Sequence, residues 1–429
     1  MPADAIPAYR IDLALPPRQR YLDLVADFGP RMRSLTCLFD ELLEAVLPPL
    51  PGLRPVVRAL ARVLLRHVCR DGSGGVEDAE IRGIADAADL PVYLLVALNN
   101  LLDCLLGCTS GAVSVTPRKG RKRGVGTGVG GEPTLMHFRT LDWSMDELRD
   151  LLVVLDFVDS SSGDPDNVIA RSITYAGYVG MLTAVKKNFS VSLNFRPNHD
   201  CSSKKLRWHQ VLVLLGYRRS ISSILRSLIL DPVKTRPEGD AVQESKSSSP
   251  LEEQARNLAL VRTSPCYIIL CNGEEAAVIE KDYMTGLVRT STNFIVQTNH
   301  DLEKQHSAGT QHPSSTNALA VRSSALQIEE WLEESSDRRN CLIKKWDRHV
   351  KSFRSRMATA ARRLAQGTNG DISDSAQASK PSISEDRLRK WMAASPTTNE
   401  LTHYAAIMDP VQGTIQWLKR GPVQGDIQE

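Results

Sequence analysis

"LNNLLDCLLGCTSGAVSV", running from Leu98 to Val115, changes character in its middle. Its first half has the apolar spacing of a helix, and its second half is a run of small and β-branched residues that suits a strand. Cys104 and Cys108 stand on either side of the change. A cysteine on an apolar helix is most simply a packing residue, and that reading goes to Cys104. Cys108 heads the strand instead, directly after Gly107. A free cysteine has a pKa of about 8.5 and is mostly thiol at neutral pH. If the chain broke between Gly107 and Cys108, the new α-amino group, with a pKa of roughly 7.7–8.0, would become a base on the nucleophile's own residue. By itself the position leaves packing and catalysis both open.

Working outward, "AYRIDLALPP" alternates and ends in a proline pair, which predicts a first strand over Tyr9 to Leu15. Residues 18–70 read as helical, with "LFDELLEAVL" and "VVRALARVLLRHV" on either side of a proline-rich break. Two further helices are expected over Glu80 to Ala88 and Leu90 to Leu106, with Asp89 as the N-cap of the second. Beyond Cys108, "PTLMHFRTLDW", "NVIARSITYAGYVGMLTAV" and "NFSVSLNFR" read as strands and hairpins. "WHQVLVLLGYRRSISSILRSLIL" reads as helix. "CYIILCNGEEAAVIEKD" and "TSTNFIVQTNH" return to strand, with Asn272-Gly273 as a hairpin turn. A long helix from "LQIEEWLEE" onward and a closing hairpin in "LTHYAAIMDPVQGTIQWLKR" complete an α+β pattern with layered packing.

Four stretches near 117–132, 235–253, 304–317 and 366–385 are rich in Gly, Ser, Pro or charge and read as surface insertions. The first holds "RKGRKR", a solvated loop on the plain reading, or a patch for anionic lipid or another acidic partner. The chain has 429 residues, 42% hydrophobic and 24% charged, enough for a large core. A net charge of +3 is too mild to argue for a nucleic-acid partner. The eight cysteines include no C-x-x-C pair and complete no zinc pattern with histidine. No signal peptide or membrane-spanning segment is read, so the default expectation is cytoplasmic.

The ordered set "PAYRIDLALPPRQRY", "CTS", "HFRTLDW", "AGYVGMLT", "QTNHD", "DRR" and "LTHYAAIMDPVQGTIQWLKR" resembles the acid ceramidase and N-acylethanolamine acid amidase family of N-terminal nucleophile hydrolases. The resemblance covers nearly the whole chain outside the insertions. It implies the four-layer αββα sandwich, with residues 1–107 as a mostly helical α-subunit-like part and 108–429 as a β-subunit-like catalytic part. It implies that Cys108 is exposed by autoproteolysis and forms the thioester. Arg139 matches the arginine beside the nucleophile, and Asp142 the aspartate that holds the new α-amino group. Asn299 matches the oxyanion donor, and Arg338 a further active-site arginine. Each has a plain alternative: a surface ion pair for Arg139 and Asp142, a turn residue for Asn299, a helix-face arginine for Arg338.

The implied activity is hydrolysis of the amide of ceramide to fatty acid and sphingoid base, with no metal or organic cofactor. An N-acylethanolamine is the alternative substrate, and a non-catalytic lipid-binding or scaffold homologue the alternative of another class. The implied partners are the lipid amide and, peripherally, a lipid surface, with the two parts staying associated after cleavage. The family's alternative compartment is lysosomal or vacuolar. An apolar groove for the acyl chain is expected near "LLVAL". The chain departs from the family in lacking a readable signal peptide and the cysteine partners near both termini, and in two substitutions. Phe195 stands where an acidic residue is usual after "LN", and "FRTLD" replaces "GRNMD".

Overall fold

Strand runs that are apolar on both faces need a covering layer on each side, and amphipathic helices supply it. The computed structural model describes residues 5–33, 35–36, 53–68, 75–101, 107–117, 132–143, 145–197, 203–231, 249–301, 325–366 and 380–422. Cys104, "LFDELLEAVL", the basic cluster and most of the four insertions lie outside them.

The N-terminal part holds β1 (Ala8–Asp12), α1 (Leu22–Met32), α2 (Leu53–Leu64), α3 (Gly75–Ala88) and α4 (Val92–Leu101). There follow β2 (Gly107–Thr116), β3 (Thr134–Asp142), β4 (Leu152–Val158), β5 (Ala170–Tyr175), β6 (Thr183–Lys186) and β7 (Phe189–Phe195). Next come α5 (Ser203–Leu214), α6 (Ile221–Leu230), α7 (Pro250–Leu260), β8 (Cys266–Cys271), β9 (Ala276–Lys281), β10 (Gly286–Ser291) and β11 (Phe294–Gln297). The chain closes with α8 (Ala325–Gln366), β12 (Ile383–Ser384), α9 (Glu385–Met392), β13 (Thr402–Asp409) and β14 (Thr414–Arg420).

One sheet has eight strands in the order β1-β4-β5-β6-β7-β8-β9-β10, antiparallel except where β1 pairs with β4. The other has six, in the order β11-β2-β3-β13-β14 with β12 beside β2. Ala112, Leu135 and Ile295 of the second sheet pack against Tyr267, Ile269 and Val278 of the first. On the outer side of the second sheet, Val113, Val115 and Phe138 meet Leu342, Trp346 and Leu388 of α8 and α9. Helices α6 and α7 cover the first sheet against β6–β10. The order is helix, sheet, sheet, helix, so the four-layer expectation holds. No helix among the described residues is long and apolar enough to cross a membrane.

Local differences from the sequence reading have local causes. Asp89 is not the N-cap of α4. It sits at φ 53° just past α3, and the Leu90 N–H closes back onto Ala85 O at 2.9 Å, the bond of a Schellman stop. The expected single helix from Trp208 to Leu230 is two helices, α5 and α6. Gly216 (φ 74°) ends the first with the same motif, the Tyr217 N–H reaching Leu212 O, and Ser220 caps the second through the Ser223 N–H. The sequence reading assigns no element to "LVVLDFV", which forms β4 in the first sheet. Buried on both sides, it lacks the alternation that marks a half-exposed strand. "LLVAL" (94–98) is buried in the main core cluster beside Met32 and Tyr178.

A buried ionic knot joins the N-terminal helices to the rest of the chain. The Glu80 carboxylate, 0% exposed, accepts from Arg20 at 2.9 Å and from Arg226 of α6 at 2.8 Å, and Arg226 also donates to Val179 O at 2.7 Å. Removing one partner of such a knot leaves the opposite charges buried. Glu80→Ala is expected to lower stability by about 3–5 kcal/mol, read as a fall in the denaturant midpoint. An unchanged midpoint would show that Arg20 and Arg226 find other partners at no cost.

Candidate active site

The pairing of β2 with β3 decides what surrounds Cys108. The register sets Gly107 opposite Asp142, Cys108 opposite Leu141 and Ser110 opposite Arg139. Side chains alternate across a sheet, so Cys108 and Ser110 share the face towards the first sheet with Arg139 and His137. Ser110 Oγ donates to Asn194 Oδ1 of β7 at 2.7 Å, and the His137 ring lies between the Ser190 and Ser192 hydroxyls at 2.8 Å each. Cys108 is 0% exposed, and the strand begins at Gly107.

The structure brings all five residues singled out in the sequence to one place. Arg139 Nη2 lies 3.2 Å from Cys108 Sγ, while Nη1 donates to Leu182 O at 2.9 Å. The Cys108 N–H donates to Asn299 Oδ1 at 2.8 Å, and Asn299 Nδ2 donates to Phe195 O at 2.8 Å. Arg338, from α8, reaches both of the remaining groups. Its Nη2 is 3.5 Å from Asn299 Oδ1 and its Nε is 3.7 Å from Asp142 Oδ2. Asp142 Oδ1 accepts from the Thr402 hydroxyl at 2.7 Å. The acceptor on the Cys108 nitrogen is thus the carboxamide of Asn299, while the Asp142 carboxylate faces Arg338 and Thr402.

Several supporting groups escape a reading that looks for charged residues. Leu182 serves through its carbonyl, inside the "AGYVGMLT" stretch. Thr183 Oγ1 and Tyr404 Oη are 2.6 Å apart, and the Tyr404 hydroxyl also meets Arg139. Ser335 Oγ accepts the Asn299 N–H at 2.9 Å. Thr402 and Tyr404 belong to the terminal "LTHYAAIMD", where order along the chain is the available signal. Phe195 takes part through its backbone carbonyl, a group present in any residue.

Burial pushes the Cys108 thiol up to about 11, against the pull of the Arg139 guanidinium. Asp142 is also raised by burial, countered by Arg338 and the Thr402 hydroxyl. With its nitrogen in the Gly107–Cys108 peptide bond, Cys108 rests as a neutral thiol beside a cation. Such an arrangement stores little nucleophilic power until a base is supplied, and it stabilises the thiolate once one forms.

Against this geometry, the comparisons with known proteins can be placed. A family model described as the beta subunit of N-acylethanolamine-hydrolyzing acid amidase matches residues 4–68, inside the segment read from the sequence as α-subunit-like. Acid ceramidase of Heterocephalus glaber is 29% identical over 325 residues, which span 69% of this chain and 70% of that protein. Acid ceramidase of Homo sapiens is 26% identical over the same shares. A solved N-acylethanolamine-hydrolyzing acid amidase ortholog from Caenorhabditis elegans is 17% identical, covers 70% of this chain and 93% of its own, and superposes with a TM-score of 0.39. The sequence comparisons bear out the resemblance to the acid ceramidase and N-acylethanolamine acid amidase family of amide hydrolases.

Two buried histidines beside the site set a pH response. Burial pushes His137 down to about 3, with Arg139 adding to it, and pushes His403 down to about 3, with Arg149 adding to it. His403 accepts from Tyr175 Oη at 2.8 Å and donates to Trp143 O at 3.1 Å, the bonding of a neutral ring. Protons therefore bind the unfolded chain first. The stability carried by each neutral ring is complete above pH of about 6.5 and is lost as pH falls, at up to about 1.4 kcal/mol per pH unit. His403→Gln is expected to flatten the fall in melting temperature between neutral and acidic pH. An identical slope in the variant would show that His403 does not contribute to it.

Proposed function

We propose that the chain is an amidohydrolase of the family its relatives represent, acting on an N-acylated lipid with ceramide as the preferred substrate. The observation that carries this reading is the convergence on Cys108: a guanidinium 3.2 Å from its sulfur and a carboxamide oxygen 2.8 Å from its nitrogen. Any buried backbone N–H needs an acceptor, but a packing cysteine needs no guanidinium on its sulfur.

In the maturation step, Cys108 Sγ adds to the Gly107 carbonyl, the C–N bond breaks, and the nitrogen takes the thiol proton. Water then hydrolyses the thioester, leaving a Gly107 carboxylate and a free α-amino group on Cys108. Asn299 Oδ1, already the acceptor for that nitrogen, holds the new amine in place. In turnover the amine accepts the thiol proton as Sγ attacks the substrate carbonyl. The Arg139 guanidinium stabilises the thiolate, and the carboxamide NH₂ of Asn299 serves the oxyanion. An NH₂ carries two N–H groups, so the bond to Phe195 O does not exhaust it. Collapse releases the sphingoid amine with the proton. Water, activated by the same amine, then hydrolyses the acyl thioester to the fatty acid. Arg338 holds Asp142 and Asn299 in register with one another.

On this reading the parts before and after the cut, 1–107 and 108–429, stay together. Strand β1 is hydrogen-bonded into the first sheet beside β4, and the Glu80–Arg226 knot crosses between them. The match of residues 4–68 to the amidase family model favours an N-acylethanolamine as the second substrate to test. Phe195, which cannot exchange a proton, is the residue that favours the non-catalytic reading.

A denaturing gel with mass spectrometry separates these outcomes. Wild-type protein is expected to split between Gly107 and Cys108 and to release fatty acid from ceramide, while Cys108→Ala stays whole and inactive. A wild-type chain that remains whole at acidic and neutral pH and releases no fatty acid would favour the scaffold. In matured enzyme, Asn299→Ala is expected to lower kcat by about 10²–10³. A loss below tenfold would remove Asn299 from the oxyanion role.

A further inference from the structure

Asn299 sits in the turn after β11, where a carboxamide has little intrinsic reason to hold one orientation. From the α8 side, Ser335 Oγ accepts its N–H at 2.9 Å. From the β7 side a buried charged fork meets the same turn. Arg196 follows Phe195, and its Nε and Nη2 donate to Asp301 Oδ1 and Oδ2 at 2.8 and 2.9 Å. Both side chains are nearly buried, at 6% and 8% exposed. Arg196 Nη1 is in turn held by Asp282 Oδ1 at 2.8 Å. The Tyr267 hydroxyl donates to Asp301 Oδ1 at 2.8 Å, and its ring lies under the Arg196 guanidinium, 5.6 Å from centroid to Cζ.

The geometry repeats across two segments. Residues 195 and 196 face residues 299 and 301, and two rungs join them. One is the Asn299 Nδ2 bond to Phe195 O, the other the Arg196–Asp301 fork. A planar fork on a carboxylate fixes angle as well as distance, which a single hydrogen bond cannot do. Tyr267 belongs to the layer between the sheets, so the second rung is anchored in the core.

We infer that Arg196 and Asp301 are positioning residues that hold the Asn299 carboxamide on the Cys108 nitrogen, in both self-cleavage and turnover. The inference rests on the amidohydrolase reading. It also accounts for the tolerance of Phe195, because the clamp needs the carbonyl of that residue and not its side chain.

The test uses full-length protein, with rates counted per Cys108 that can be acylated. Arg196→Lys keeps the charge but loses the fork, and Asp301→Asn keeps the shape but loses the charge. A misplacement of about 1 Å in a reacting group costs roughly 10²-fold, so Asp301→Asn is expected to lose about that much in kcat and Arg196→Lys about tenfold. KM should stay within about twofold of wild type, and self-cleavage should slow in the same order. Arg256→Ala, at an exposed ion pair with Glu252 on α7, is the control expected to behave as wild type. Variants with wild-type kcat, or losses that merely follow the folded fraction by thermal melt, would overturn the clamp while leaving the hydrolase standing. A wild-type chain with neither self-cleavage nor fatty-acid release would overturn both.

Discussion

The antiparallel register between β2 and β3 is the constraint on which the rest of the site depends. Because side chains alternate every residue, a slip of one position would turn Cys108 towards α8 and leave Arg139 facing the other way. The register is held where Ala112 and Leu135 enter the layer between the sheets and Val113 and Phe138 enter the layer under α8 and α9. Gly111 lets the sheet close beside it, since a Cβ there would stand 2.2 Å from Ile295 O on the neighbouring strand β11. That close approach is also what brings the end of β11, and Asn299 beyond it, to the Cys108 nitrogen. Packing on both faces of one strand thus sets a hydrogen bond several residues away.

Charge burial around Cys108 is the second feature of the design. Arg139, Arg338 and Asp142 are nearly or fully inaccessible, and isolated charges in such a place would cost several kcal/mol each. The structure offsets this with backbone carbonyls and hydroxyls: Leu182 O for Arg139, and the Thr402 hydroxyl for Asp142. These partners come from stretches far apart in the chain. A site so closed keeps the Cys108 thiol neutral, with burial outweighing the pull of the Arg139 guanidinium.

The strand–helix pattern, the Asn272-Gly273 hairpin, the closing hairpin and the long α8 helix were all legible from periodicity and turn residues, because each is written within a short window. Strand β4 was not, since burial on both faces removed the alternation that announces a strand. The stop at Gly216 and the left-handed Asp89 were missed for another reason. Helical spacing continues across them, and the backbone conformation of one residue overrides it. The five candidate residues that meet around Cys108 were legible as an ordered set of motifs through the family resemblance. Their partners Leu182, Phe195 and Ser335 were not, because two act through carbonyls that every residue has and the third is one serine among many.

The sequence by itself named the candidate residues, through the family resemblance, and the order in which they stand along the chain. It also determined the α+β class with layered packing, through the succession of strand and helix patterns, while the two-sheet sandwich came from the resemblance. Tertiary structure decided the assignment of contacts. It put the Asn299 oxygen on the Cys108 peptide N–H, and it turned Asp142 towards Arg338 and Thr402. The reason is physical. Hydrogen bonds and ion pairs act over about 3 Å, while the residues that make them here lie tens to hundreds of positions apart, so only the packing of the layers can choose among the possible partners.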